Sequence, residues 1–232
     1  MRTLARVRVH VALTPGESYE AEVAVAVDVL RATSTICQAL AAGYAEVVCA
    51  GEVEEARALR AEGVALAGER ACAAIPGFDF GNSPAELVAR DPRFTRVVLT
   101  TTNGTRLLRT AAARHDVVLV GSLLNLHAVV AAARSSGAER VAILCAGVEG
   151  ELALDDVYCA GRIAVALGGT FSDGAVAAVR IAATFESPID GIAASLSARN
   201  LRDAGLDADI AWCARESVLD VVPRIGETVL VG

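Results

Sequence analysis

The chain has 232 residues, 54% of them hydrophobic, with a mean hydropathy of +0.47, which supplies a large core and excludes a disordered chain. Its net charge of −7, without a basic tract, argues against a nucleic-acid partner. The longest uncharged stretch, Val117–Ala133, falls short of the roughly 20 apolar residues that cross a bilayer, and MRTLARVRVHVAL has no signal-peptide core, so a cytoplasmic protein with no membrane partner is expected.

Short β-rich runs alternate with alanine-rich helical runs. Strands are expected at 6–13, 22–29, 46–50, 64–68, 96–101, 116–122, 140–146 and 227–231. Helices are expected at Thr33–Ala42, Val53–Glu62, Pro84–Arg90, Thr105–Arg114, Leu126–Ser135 and Asp155–Leu167. Strands that are apolar throughout belong in a buried sheet, so the fold class is α/β: a three-layer α/β/α sandwich on a mainly parallel, mixed sheet. The first run alternates more cleanly and reads as an antiparallel edge strand. Beyond Gly168 the pattern weakens into a C-terminal helical elaboration, with helices at Ala175–Thr184 and Ile189–Ser197 and another ended by Gly205. A single domain over 1–232 is expected, with at most a subregion at 169–232.

All 21 basic residues are arginine, so lysine chemistry is absent and anions must be held by guanidinium groups or backbone N–H groups. The six cysteines show no CxxC spacing and read as core residues. Open α/β sheets bind ligands beyond the carboxyl ends of their strands, and four such ends here are unusually polar.

After the second strand, DVLRATSTI brings together Asp28, Arg31, Thr33, Ser34 and Thr35. Alone, this segment fits a capped helix with Asp28 paired to Arg31 as well as it fits an anion site. After the fourth strand, GERACAAIPGFDFGNSP offers Glu69, Arg70 and Asn82, with Ser83 and Pro84 starting a helix and Asp79 in a loop folded back on the body. After the fifth, TTTNGTR carries Thr102, Asn103, Gly104, Thr105 and Arg106, read as an anion nest opening onto a helix, with Asn-Gly supplying a positive φ. After the seventh, ELALDDVYCAG places Asp155 and Asp156 at a helix start, where acids suit the dipole and also suit a hard cation. The three histidines read as structural.

These four stretches, in this order, resemble the 2-phosphosulfolactate phosphatase family, and the tail NLRDAGLDADIAWCARESVLDVVPRI is similar to that family's C-terminal region. The resemblance implies a family-specific α/β fold and a Mg²⁺-dependent phosphomonoesterase that converts 2-phospho-3-sulfolactate to 3-sulfolactate, a step of coenzyme M biosynthesis in methanogens. Asp28, Arg31 and Arg106 are then the expected catalytic residues. Thr33, Ser34, Thr35, Arg70, Asn82, Thr102, Asn103, Gly104 and Thr105 are the expected binders of a small anionic phosphate ester. Asp28, Glu69, Asp155 and Asp156 are the expected Mg²⁺ ligands. The family resemblance leads one to expect Glu-Asp where this chain has Asp155-Asp156, which ranks Asp156 ahead of the shorter Asp155. Two alternatives stand beside this: a phosphatase of another small phosphorylated acid, and a non-catalytic anion-binding module. The high apolar content points to a homodimer.

Overall fold

Five valine and alanine residues, Val23–Val27, form the centre of the molecule as strand β2, and every one is buried. The valines pack on one face of the sheet and Ala24 and Ala26 on the other, as the two-residue period of a strand requires. Each such buried valine contributes roughly 1.5–3 kcal/mol of hydrophobic stabilisation. The structure is a computed structural model that describes residues 7–17, 19–226 and 229–231.

The other strands are β1 (Arg8–Ala12), β3 (Glu46–Cys49), β4 (Val64–Arg70), β5 (Ala73–Ala74), β6 (Arg96–Thr100), β7 (Val118–Gly121), β8 (Arg140–Cys145), β9 (Thr170–Phe171), β10 (Arg224–Gly226) and β11 (Val229–Val231). Their order across the sheet is β5-β4-β6-β3-β11-β10-β7-β2-β8-β1-β9. Two parallel blocks result, β4-β6-β3 and β7-β2-β8-β1-β9. The antiparallel hairpin β10–β11 joins them, pairing with β3 on one side and β7 on the other. Of the strand expected at 227–231, positions 227 and 228 lie outside the described residues, as does position 6 of the first run.

Helices α1 (Ala32–Ala41) and α3 (Gly104–Ala112) cover one face; α4 (Leu126–Ser135), α5 (Leu154–Leu167) and α6 (Asp173–Ala182) cover the other beside β2 and β8, and α2 (Val53–Ala58) covers it beside β4 and β6. The architecture is the expected three-layer α/β/α sandwich on a mixed sheet. Among the described residues no helix is long and apolar enough to cross a membrane.

Three expectations need correction. Strand β1 is parallel to β8 and is not the edge, because the two-residue β9 pairs outside it; its alternation arises because Arg8 is exposed and His10 only half-buried. The stretch at Pro84 forms a four-residue 3₁₀ helix, Pro84–Leu87, instead of an α-helix. The C-terminal elaboration holds α7 (Pro188–Ala193), α8 (Leu196–Asp203) and an unexpected α9 (Asp207–Cys213). Gly205 follows α8 with φ of 73°, the left-handed conformation expected of a helix-ending glycine.

Candidate active site

A cavity of about 160 Å³ opens at the carboxyl ends of β2, β4, β6 and β8. Asp28, Leu30 and Arg31 enter it after β2, and Glu69, Ala71 and Cys72 at the end of β4. Thr101, Thr102 and Asn103 follow β6, Val148 and Glu149 follow β8, and Asn82 comes from the loop before the 3₁₀ helix. Helix α8 closes the opposite side with Ser197, Asn200 and Leu201. The polar strand ends singled out by sequence therefore converge, as the strand-end rule for open sheets requires.

Within DVLRATSTI the acid and the hydroxyls have separate tasks. Asp28 Oδ1 accepts a hydrogen bond from the Ala32 N–H at 3.2 Å. Its Oδ2 accepts none from the described residues and lies against Gly104. Burial raises the Asp28 pKa to about 7, helped by the Asp155 and Glu69 charges and opposed by the Ala32 N–H and Arg31. The three hydroxyls serve the backbone: Thr33 donates to Asp28 O at 2.8 Å, Ser34 to Val29 O at 2.8 Å and Thr35 to Asn82 O at 2.9 Å. All three are buried and none lines the cavity, so the expectation that they bind substrate is not supported. Nor does Arg31 pair with Asp28; its Nη1 donates to Asp209 Oδ2 at 2.7 Å.

Glu69 faces the cavity and both its oxygens accept hydrogen bonds. Its Oε1 accepts from the Thr102 N–H at 2.8 Å and the Thr102 hydroxyl at 3.0 Å, and its Oε2 from the Cys72 N–H at 3.0 Å. It therefore clamps two loops together. Arg70, one residue on, belongs to the other face of β4 and donates to Glu69 O and Thr100 Oγ1, away from the cavity lining. Asn82 is buried in the wall, and its Oδ1 is enclosed without a hydrogen-bond partner. Ser83 caps nothing; its hydroxyl donates to Asp209 Oδ1 at 2.5 Å. Asp79 does fold its loop back, accepting the Leu66 N–H at 2.9 Å.

In TTTNGTR, Thr101 and Thr105 satisfy each other. The Thr105 N–H donates to Thr101 Oγ1 at 3.1 Å, and the Thr105 hydroxyl donates to Thr101 O at 3.1 Å. Thr105 is thus a helix fastener with no group left for substrate. Asn103, at the N-cap of α3, has φ of −117°, so no positive φ is needed here. Gly104 is required for a different reason: a Cβ there would stand 2.4 Å from both Asp28 Oδ2 and Ala32 Cβ. Arg106 is exposed and does not line the cavity.

The acidic pair divides by its hydrogen bonds, and neither member lines the cavity. Asp156 Oδ1 accepts from the Val29 N–H at 2.9 Å and Oδ2 from the Gly147 N–H at 3.0 Å, so it pins the β2 and β8 loops. Asp155 is equally buried, but its Oδ1 has no partner. Burial raises the Asp155 pKa to about 6; the Asp155 backbone and the nearby Ser197, Ser195 and Leu30 donors temper the rise. Burial likewise holds Asp156 well above the carboxylate range, with Asp155 and Asp28 adding to it. Among the described residues no three of His, Cys, Asp and Glu converge as a metal cluster. Of the expected metal ligands, Asp28 lines the cavity with Oδ2 unpartnered, whereas Asp155, with its enclosed Oδ1 unpartnered, does not line it.

The cavity also uses groups not singled out as site residues: Ser197 on α8 and Glu149, and, within the family-like tail, Asn200 on α8 and Asp209 beneath Arg31. The signal for Ser197 and Asn200 is their i, i+3 spacing on one helix face, which is common to many helices. Backbone strain concentrates at the rim. Of the four non-glycine residues with positive φ among those described, Ala71, Cys72 and Glu149 line the cavity. Cys72 is half-buried, whereas the other five cysteines are buried as expected.

The model of the family described as 2-phosphosulpholactate phosphatase matches residues 9–228. A Thermus thermophilus protein named "Probable 2-phosphosulfolactate phosphatase" is 39% identical over 96% of this chain and 98% of its own length. Proteins with the same name from Deinococcus radiodurans and Thermotoga petrophila are 40% and 36% identical, over 97% and 96% of the chain and 97% of their own lengths. With a family match spanning nearly its whole length and near-full-length relatives at these identities, the chain belongs to the 2-phosphosulpholactate phosphatase family.

Proposed function

We propose that this chain hydrolyses a small, multiply anionic phosphate ester, 2-phosphosulfolactate by kinship with its relatives, and that it does so with Mg²⁺. The observation that carries the proposal is the acid at the floor of the cavity: Asp28 is held by one oxygen and open at the other, beside anion donors on the loops around it. A carboxyl with a pKa of about 7 suits proton transfer at neutral pH.

The charge around the cavity bears on the cation. Asp28, Glu69 and Glu149 line it, and Arg31, the lining cation, is already matched by Asp209. A polyanionic ester would be repelled by such walls unless a cation accompanied it. Mg²⁺ typically takes one or two carboxylates and completes its shell with water and substrate phosphate. Glu69 and Glu149, which line the cavity, would supply those carboxylates, leaving Asp28 Oδ2 for proton transfer. When bound, the ion would supply charge neutralisation on the transferring phosphoryl group.

The protein's own groups do the rest. The Arg31 guanidinium and the Asn103 and Thr102 segment at the start of α3 orient the phosphate oxygens. Asp28 Oδ2 takes the proton of the water that attacks phosphorus and returns it to the ester oxygen that leaves as its bond to phosphorus breaks. Ser197 and Asn200 hold the acid end of the ester against α8. A second substrate class follows from one observation: Arg70 and Arg106 stay outside the cavity, so no second arginine is built in for a sulfonate. Phosphorylated two- and three-carbon acids without a sulfonate are therefore to be assayed beside phosphosulfolactate. Phosphate release that requires Mg²⁺ and prefers phosphosulfolactate supports the proposal. Tight ester binding without release, with or without Mg²⁺, would mark a binding module and reject it.

A further inference from the structure

The Arg31 guanidinium reaches the cavity wall under the control of a residue 178 positions away in the chain. Its Nη1 donates to Asp209 Oδ2 at 2.7 Å and its Nη2 to the Cys72 carbonyl at 3.3 Å. Asp209 is fixed in turn by the Ser83 hydroxyl on Oδ1 at 2.5 Å. The side chains of the ion pair are 4% and 3% exposed. Stability alone is a poor reason for such a pair, since desolvation costs about as much as the attraction returns and apolar replacements are often neutral.

Position supplies a better reason. A guanidinium carries five N–H donors in a rigid plane, and two are in use here. The remaining donors belong to a group that lines the cavity, and their direction is set by whatever grips the other edge of the plane. Planar recognition of an oxyanion depends on that direction. The same cavity also holds Asp28 and Glu69, carboxylates that would compete for a loose arginine. From this geometry we infer that Asp209, seated by Ser83, is the positioning residue of Arg31: it turns the free edge of the guanidinium toward a phosphate-type oxyanion and keeps Arg31 off Asp28. The inference rests on the proposed phosphate-ester activity for its ligand class. It gives α9 a duty in a site otherwise built from strand ends and α8.

The test is calorimetric binding of inorganic phosphate to the full chain, with steady-state kinetics and thermal melting in parallel. Asp209→Asn keeps the shape and removes the charge; it is expected to weaken phosphate binding by roughly 10-fold, the scale of a charge-assisted hydrogen bond, and to raise KM more than it lowers kcat. Ser83→Ala, which leaves the ion pair in place, is expected to weaken phosphate about 2- to 3-fold. In an Arg31→Ala background, Asp209→Asn is expected to add no further loss of phosphate affinity. Unchanged phosphate affinity in Asp209→Asn with a lower melting point would reduce the pair to a structural tie and overturn the inference. So would a full additive loss in the double variant. Should Asp209→Asn not fold, unaltered affinity in Ser83→Ala overturns it instead. Absence of phosphate binding by the unaltered protein overturns it too. Phosphate binding with the expected variant pattern but without ester turnover rejects only the activity and leaves the positioning role standing.

Discussion

Along the strand-end rim, several hydroxyls serve the backbone and stay off the cavity lining: Thr33, Ser34, Thr35 and Thr105 all donate to carbonyls. On the cover formed by α8 and α9, Ser197, Asn200 and Asp209 stand on ordinary helix faces and act on the cavity or on Arg31. The rim is thus a set of self-stapled loops that hold a few reactive groups still, while the cover contributes isolated side chains from otherwise structural helices. A dense polar motif therefore locates a site better than it identifies the groups that do chemistry there.

The contrast is sharpest for Asp28. Asp28→Asn removes the open carboxylate but keeps the Oδ1 acceptor for Ala32, and turnover is expected to fall about 10³-fold, the range of general acid–base catalysis, with little change in melting temperature. Activity above a tenth of the original would move the chemistry off the rim. Asp156→Ala tests a rim residue of the other kind. It strands two buried N–H groups, and urea unfolding is expected to show a loss of about 2–4 kcal/mol. An unfolding midpoint equal to the original would mean that Asp156 is free for ligand after all.

The pH dependence links two buried acids, Asp28 and Asp155. Asp28 and Asp155 have folded-state pKa values of about 7 and about 6, raised chiefly by burial, so the folded protein holds protons that the unfolded chain has released. Their contribution to stability is full below the ordinary carboxylate value near 4 and is lost as pH rises through 6 and 7. In chelator, the melting point is expected to fall between pH 5 and pH 8, and Mg²⁺ is expected to restore it most at pH 8. Asp155→Asn flattens the fall, since it removes one such group and a like charge beside Asp28. A fall of the same size in that variant would place the titration elsewhere.

Smaller effects belong to the cover and the periphery. Asn200→Ala is expected to raise KM about 3- to 10-fold with kcat nearly intact, as for one lost hydrogen bond. Equal losses in kcat and kcat/KM would promote Asn200 to a group acting in the transition state. Arg106→Ala, an exposed change outside the cavity, is expected to alter kcat/KM by less than about 2-fold. A large loss would show that α3 closes over substrate.

The central strands were legible because β2, β6, β7 and β8 are unbroken apolar runs, and the rule placing ligands at their carboxyl ends was enough to bring Asp28, Glu69, Asn82 and Asn103 to one cavity. Sequence could not say which of the polar groups there would be spent locally. Three hydroxyls in a row declare a demand for partners, but a carbonyl and a phosphate satisfy that demand equally well. Asp155 and Asp156 are identical in type and adjacent, and only the positions of Val29 and Gly147 decide which is occupied. Asp209 lies in the family-like tail, but its role was not legible there, because it depends on a partner 178 residues earlier. Strand β10 is three residues of Arg-Ile-Gly, too short and too mixed to show a period.

That short strand has an outsized consequence for assembly. With β11 it fills the gap between β3 and β7, so the two parallel blocks share no hydrogen-bonded ladder until the residues of β10 and β11 arrive. These residues follow both blocks in the chain. During synthesis β3 and β7 therefore wait with bare edges, each a template for stray pairing, and the sheet is completed at its middle instead of at a border. The keystone is laid last, and a change there threatens the union of the halves more than the halves themselves.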